Sequence, residues 1–414
     1  MKSKSGSVLG GILLIAGSCI GAGMLALPVI TGVAGFFPAI VMLFAAWVFM
    51  TGTSLLLLEA NLAIGHDLSL ISIAEKTLGK TGKILCWLLF IFLFYSLSIA
   101  YISASGSILQ SIVRDLFERD LPPLLGSLLF TVIFGIVIYT GTKPVDYLNR
   151  FLMIGLIMAY CVLVFLGSMH IHLSYLFVHH WQYAWGALPI LVISFGFHNM
   201  IPSLAMYLEG DVKRLRITVL LGGLIPFLIY LIWEAVMLGM IPIEGREGLL
   251  MALDKGEVVT ETLRAAVGKS WINTIAQAFA LFAIITSFLA QSLALVDFLA
   301  DGLKVSKVGV GRIVLILLTL VPPFGFAFAY PGVFITALNV AGGFAAVILF
   351  GVLPALMVWV LRYKRKIQTA LLFPWGRSAL VVVLMIATAI FILETAQELK
   401  LTPIPSQLEA FHDG

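Results

Sequence analysis

Eleven apolar runs, each long enough to cross a bilayer, restrict this chain to one class of fold. They fall at about 8–33, 37–64, 84–112, 123–141, 150–168, 185–208, 215–240, 271–299, 310–329, 332–361 and 378–394. About 20 apolar residues suffice for a spanning helix. No soluble domain of 414 residues is 61% hydrophobic and only 11% charged. Backbone inside hydrocarbon must satisfy its own hydrogen bonds, so the expectation is an all-α polytopic membrane protein. Residues 1–414 read as a single membrane domain. The first run has no small-residue cleavage site after a short apolar core, and reads as a retained span.

The loops between the runs alternate in charge. Eighteen of the 25 Lys and Arg residues fall on one side, among them Lys76, Lys143, Lys213, Lys304 and Lys364. The other side holds Arg114, Arg119, Arg246, Lys255, Arg264, Lys269 and Lys400. A wrong span count would scramble this division. The richer side is cytoplasmic by the positive-inside rule, which puts the N-terminus inside and the tail near Phe411 outside. Two outer segments stand out. Met169–Trp185 carries His170, His172, His179 and His180, and reads as an interfacial loop rather than a metal site. Met251–Val267 reads as a short amphipathic helix on the outer surface. Cys19, Cys86 and Cys161 fall inside apolar runs as free, buried thiols with no metal spacing.

Within the first run lies Gly17-Ser18-Cys19-Ile20-Gly21-Ala22-Gly23. Three glycines and a serine make a poor helix interior, since each glycine costs roughly 1 kcal/mol relative to alanine. The stretch predicts a broken span with half-helices of about 8–16 and 22–33. Unpaired backbone at this depth is tolerated only inside protein or beside a wet cavity. The second half-helix would offer N–H groups to an anion, and the last carbonyls of the first would accept from a cation. An α-amino acid carries both charges on one carbon.

The sixth run repeats the anomaly with Ser194-Phe195-Gly196-Phe197-His198-Asn199-Met200-Ile201-Pro202. A histidine and an asparagine at this depth are expensive unless they face the protein interior or water. Runs one and six each open a block of five. Five is odd, so the blocks, about 8–168 and 185–361, would be inserted upside down relative to each other, with the run at 378–394 outside the repeat. Broken helices at matching positions of inverted halves point to a transporter's central site.

The stretches "IAGSCIGAGMLALP" (15–28), "SFGFHNMIPSL" (194–204) and "FAIITSFLAQSLALVDFL" (282–299) resemble the hydroxy/aromatic amino acid permeases. That family includes bacterial tyrosine-specific and tryptophan-specific transport proteins, within the amino acid–polyamine–organocation group. The resemblance covers nearly the whole chain. It implies a LeuT-like 5+5 inverted repeat with broken helices 1 and 6 in the bacterial inner membrane. It also implies inward symport of an aromatic amino acid with a proton, tyrosine foremost. Tryptophan or another neutral or hydroxy amino acid, and sodium as the coupling ion, stand as alternatives.

On this reading Gly21, Ala22, Gly23 and Met24 receive the substrate carboxylate, helped by the Ser18 hydroxyl. Carbonyls near Ala16–Gly17 and Ser194–Phe195 take the ammonium. Phe195, Gly196, Phe197, His198 and Asn199 line the side-chain pocket. Tyr101 joins them from the third run, with Tyr95, Ser98 and Ser105 nearby, and Asn339 from the tenth, next to Gly342-Gly343. Coupling candidates are His198, Glu59, Glu234 and Asp297 for a proton, and Thr286 and Ser287 for sodium. No lysine falls inside the fifth run, where the resemblance implies that some proton-coupled relatives keep one. The chain carries no HExxH, GxSxG or nucleotide-binding loop, so neither enzyme chemistry nor a cofactor is expected. The basic cluster Arg362–Lys366 reads as a topology signal, not as a nucleic-acid site.

Overall fold

The computed structural model of the chain describes residues 6–65, 68–245, 247–267, 270–367, 376–399 and 401. Ten of its helices are long and apolar enough to span a membrane, and a bent pair makes an eleventh span. Span one is that pair, Val8–Cys19 and Gly23–Gly32, bent by 59°. The remaining spans are Phe36–Ile64, Leu70–Phe117, Pro123–Thr140, Thr142–Ser168, Trp181–Tyr207, Val212–Met240, Ser270–Leu303, Gly309–Ala329, Phe334–Lys364 and Gly376–Glu398. Arg246, Lys269, Lys400 and the tail near Phe411 lie outside the described residues.

Two groups of spans pack as units. Spans one, two, six and seven form one, and spans three, four, five, eight and nine the other. Span ten touches both, and span eleven lies against it. Span three begins with a separate short helix, because Gly79 takes φ 77° and turns the chain there. An L side chain is strained at that φ, so the kink needs glycine.

Prolines inside the spans explain several side-chain bonds. A proline cannot donate to the carbonyl four residues earlier. Pro28 thereby frees the Met24 carbonyl, which accepts from Trp233 Nε1 of span seven at 2.9 Å. Pro322 frees the Leu318 carbonyl, which accepts from the Tyr95 hydroxyl at 2.8 Å. Tyr95 therefore joins span three to span nine instead of lining a pocket.

The outer segments depart from expectation. Met251–Val267 is not one surface helix. It forms parts of two, Leu249–Lys255 and Val259–Val267, separated at Gly256 with φ 64°. Both dock on the second half-helix of span one and bury Leu249, Leu250, Val259 and Leu263. Their apolar faces meet protein, so no lipid surface is needed to cover them. The second is clamped by charge. Arg264 pairs with Asp115 at 2.5 Å, Gln277 donates to Asp115 at 2.8 Å, and Ser111 donates to Glu261 at 2.5 Å.

The histidine loop is pinned rather than loose. The His180 amide donates to the Ala34 carbonyl at 2.8 Å, and His179 bridges to Gly35. Among the described residues no group of three His, Cys, Asp or Glu side chains could hold a metal. Cys19 and Cys86 are buried, whereas Cys161 is exposed on the outer face of span five.

At the basic end, Glu59 of span two and Arg362 of span ten form a buried bidentate pair, both bonds 2.6 Å. Asp297 pairs with Lys307 at 2.7 Å, but in the open.

Candidate functional site

A cavity of about 230 Å³ opens beside the break in span one. That is below the roughly 300–1,000 Å³ of drug-sized pockets and suits one amino acid. Both breaks supply its wall. Gly17 through Gly23 come from span one, and Ile193, Ser194, Gly196, Asn199 and Met200 from span six. Span three adds Phe90, Leu93, Phe94, Leu97 and Tyr101, and span five adds Asn149 and Met153. Thr286, Ser287, Ala290, Gln291 and Ala294 come from span eight, Leu338 and Phe350 from span ten. Apart from Tyr101 and Thr286 near mid-helix, the lining residues of spans three, five and eight lie in the halves nearer the basic loops. The cavity thus runs from mid-depth toward the basic end.

The break in span one is held open by named bonds. Ser287 Oγ accepts the Ala22 amide at 3.0 Å. The Met24 amide donates to the Gly21 carbonyl and that of Leu25 to Ala22, each at 3.0 Å. Among the described residues, the amides of Gly21 and Gly23 donate to no protein group. These are free N–H groups at a half-helix N-terminus, where partial positive charge gathers. A side chain at position 21 would collide with the Ser287 hydroxyl, and one at position 23 would stand 3.0 Å from Ser194 Oγ.

The acceptors differ from expectation. The Ala16 carbonyl accepts the Ile20 amide, and the Ser194 carbonyl lies 3.0 Å from the Tyr230 hydroxyl. The carbonyls of Gly17 and Ser18 take no protein donor among the described residues. The Ser18 hydroxyl donates to the Ile15 carbonyl at 2.7 Å.

Of the residues proposed from sequence, Ser18, Gly21, Ala22, Gly23, Tyr101, Ser194, Gly196, Asn199, Thr286 and Ser287 line the cavity. Met24, Phe195, Phe197, His198 and Asn339 stand outside its wall. In the span-six break Gly196 turns its backbone to the cavity, so its neighbours Phe195 and Phe197 point into the core. Phe195 meets Tyr230 edge-on at 5.3 Å. His198 is fully buried, bonded through Nε2 to Thr53 Oγ1 at 2.9 Å and stacked on Phe350 at 4.8 Å. It ties span six to span two and stands behind Phe350, which lines the cavity. Near Asn339, Gly342 abuts the Pro189 carbonyl and Gly343 abuts Glu394. That point is a packing notch between helices.

Glu234 is buried outside the cavity, under the second half-helix of span one. Its Oε2 lies 2.8 Å from Thr31 Oγ1. Sequence reading missed Phe90, Phe94, Phe350 and Gln291. The aromatic residues look like ordinary core in an apolar run. Gln291 carried the better signal, as an uncharged polar residue one turn after Ser287.

The chain matches the tryptophan/tyrosine permease family over residues 4–394. It belongs to that family. It is 36% identical over 387 residues to a tyrosine-specific transport system of Haemophilus influenzae, covering 91% of this chain and 94% of that one. A tryptophan-specific transport protein of the same organism is 32% identical, with 88% and 90% covered. One of Pseudomonas aeruginosa is 31% identical, with 94% of each chain covered. This member of the tryptophan/tyrosine permease family is thus an integral membrane permease for aromatic amino acids. The cavity between its two helix breaks is the candidate place for the substrate.

Proposed function

We propose that the permease is a secondary active transporter carrying an aromatic amino acid, tyrosine foremost, inward across the inner membrane with a proton. The observation that carries this reading is the cavity bounded by both helix breaks and walled by Phe90, Phe94 and Phe350. The free amides of Gly21 and Gly23 receive the carboxylate, and the carbonyls of Gly17 and Ser18 receive the ammonium. The aromatic wall takes the ring, where edge-to-face contacts add about 0.5–1.5 kcal/mol beyond burial. Spans one to five and six to ten read as inverted repeats, a view supported by two breaks that face each other. The N-terminus lies inside on this reading, and the cavity opens toward the cytoplasm.

A proton is favoured over sodium by two arrangements. The Thr31 hydroxyl lies 2.8 Å from both the Leu27 carbonyl and Glu234 Oε2. A hydroxyl has one proton to give. Both contacts are full two-centre hydrogen bonds when Glu234 carries a proton and donates it to Thr31, whereas an ionised Glu234 has to share the one Thr31 proton with the Leu27 carbonyl. Glu234 would therefore couple protonation to the outer half of span one. For sodium, Ser287 and Thr286 would have to supply oxygens. Ser287 already accepts the Ala22 amide, which takes up one of its oxygen lone pairs.

The test is uptake of labelled tyrosine by proteoliposomes under an imposed pH gradient, a sodium gradient or neither. Accumulation above equilibrium with the pH gradient alone supports symport with a proton. Accumulation with sodium alone would replace the proton by sodium. Uptake that is never concentrative and shows no counterflow would make the protein a passive facilitator.

A further inference from the structure

The cavity wall below the break is apolar except at Asn149 of span five and Gln291 of span eight, and Gln291 is the one that stands beside Phe94. Phe90 and Phe94 stack along span three with centroids 5.7 Å apart, and Phe90 meets Phe350 edge-on at 6.4 Å. Gln291 is buried among them with 9% of its surface accessible. Its amide orientation is fixed chemically. Nε2 donates to the Phe94 carbonyl and lies 2.9 Å from Ser98 Oγ. A carbonyl only accepts, so the nitrogen must be the atom on that side. Oε1 is thereby turned away, and it is buried with no partner among the described residues. A buried acceptor left unpaired costs free energy, so it marks a place where a donor belongs.

Position supplies the second half of the argument. Gln291 follows Ser287 by four residues and so shares its helix face. It lies about 6 Å further along the axis. Ser287 holds the amide next to the expected carboxylate position. One helical turn is close to the reach of an aromatic amino acid from its α-carbon to the far edge of its ring.

We propose that Gln291 is the specificity residue of the cavity, its amide oxygen accepting the hydrogen bond that a substrate ring donates. The phenol O–H of tyrosine and the indole N–H of tryptophan both fit this acceptor, and the phenyl ring of phenylalanine leaves it stranded. Sites built around such a bond reject the analogue that lacks it. The proposal rests on the reading that the substrate head group sits at the span-one break.

The test is competition against labelled tyrosine uptake in proteoliposomes. For the unsubstituted protein, tyrosine, tryptophan and 4-aminophenylalanine should compete about tenfold or more better than phenylalanine and 4-fluorophenylalanine. Gln291→Met should shrink that gap to about threefold or less, with phenylalanine competing as well as before. Gln291→Glu keeps an acceptor at the same length while losing the Phe94 bond, and should keep the gap. A residue that only joined span three to span eight would lower uptake of every substrate alike and leave the ratio unchanged. An unchanged ratio in a Gln291→Met protein that runs as a single species overturns the proposal. So does equal competition by donors and non-donors in the unsubstituted protein, whether or not the variants fold. Failure of the unsubstituted protein to take up any aromatic amino acid would remove the functional reading itself.

Discussion

The hydroxyl of Tyr230 lies 2.6 Å from the carbonyl oxygen of Cys19, the last residue of the first half-helix of span one. The same hydroxyl is 3.0 Å from the Ser194 carbonyl at the break in span six. One phenolic proton is thus shared between the ends of two broken helices, and span seven becomes the post that holds them together. Tyr230→Phe removes that donor and leaves two buried carbonyls without it. Each unsatisfied acceptor costs about 1–3 kcal/mol. The expected result is a lower melting temperature in detergent and a large loss of uptake. Wild-type values of both would show that the breaks do not depend on this bond.

Gly23→Val should abolish substrate binding. A Cβ at position 23 would stand 3.0 Å from Ser194 Oγ, and the branched side chain would fill the space in front of the free amide. Ligand-induced stabilisation by tyrosine, read as a shift in melting temperature, checks this. A full shift in the variant would move the carboxylate elsewhere.

Glu234→Gln should separate exchange from accumulation. The amide keeps a group facing Thr31 but cannot load and release a proton. Counterflow of labelled tyrosine should persist, whereas accumulation driven by a pH gradient should fall toward equilibrium. Intact concentrative uptake would exclude Glu234 as the proton carrier.

At the charged clamp, burial raises the Glu261 pKa from its ordinary value, against the lowering effects of Ser111 and Arg264. A carboxyl whose folded pKa is raised contributes stability that is present below its unfolded pKa. That contribution is lost as pH rises through the folded pKa. Docking of Val259–Val267 should therefore weaken as pH climbs out of the carboxylate range. Glu261→Gln should flatten the dependence and protect this helix at higher pH. Hydrogen exchange of its amides across pH measures it, and identical profiles for the two proteins would count against the assignment.

Breaking the buried Glu59–Arg362 pair from one side should be costly. Glu59→Gln or Arg362→Met alone leaves a charge without its counter-ion, at about 3–5 kcal/mol. The double variant Glu59→Gln/Arg362→Met should recover part of that loss. Melting temperatures of the four proteins give the coupling, and additive losses would mean that the two side chains act independently.

The spans were legible because hydrocarbon allows few alternatives. A run of apolar residues with its charges at the ends can only be a helix across the membrane. The first break was legible for a related reason, since Gly17, Gly21 and Gly23 spend helix stability at mid-depth. Its limits shifted by a few residues, and the second half-helix starts at Gly23. His198 was conspicuous in sequence for its cost at that depth. The sequence did not reveal that Thr53, 145 residues away, would be its partner.

By itself the sequence determined the number of spans, the loop charge asymmetry, the two breaks and the family. Each depends on local composition or spacing, and the bilayer reads both directly. Only the tertiary structure decided which side of the span-six break faces the cavity. It put Gly196 and Asn199 there and sent Phe195, Phe197 and His198 into the core. It also decided that Tyr95 and Trp233 serve carbonyls freed by Pro322 and Pro28. Glu234 came to lie under Thr31, and the Gln291 amide was turned by the Phe94 carbonyl. Those outcomes depend on how helices far apart in the chain rotate and seat against one another. A one-residue turn of a helix moves a side chain by about 100°, and no single span records which rotation its neighbours will choose.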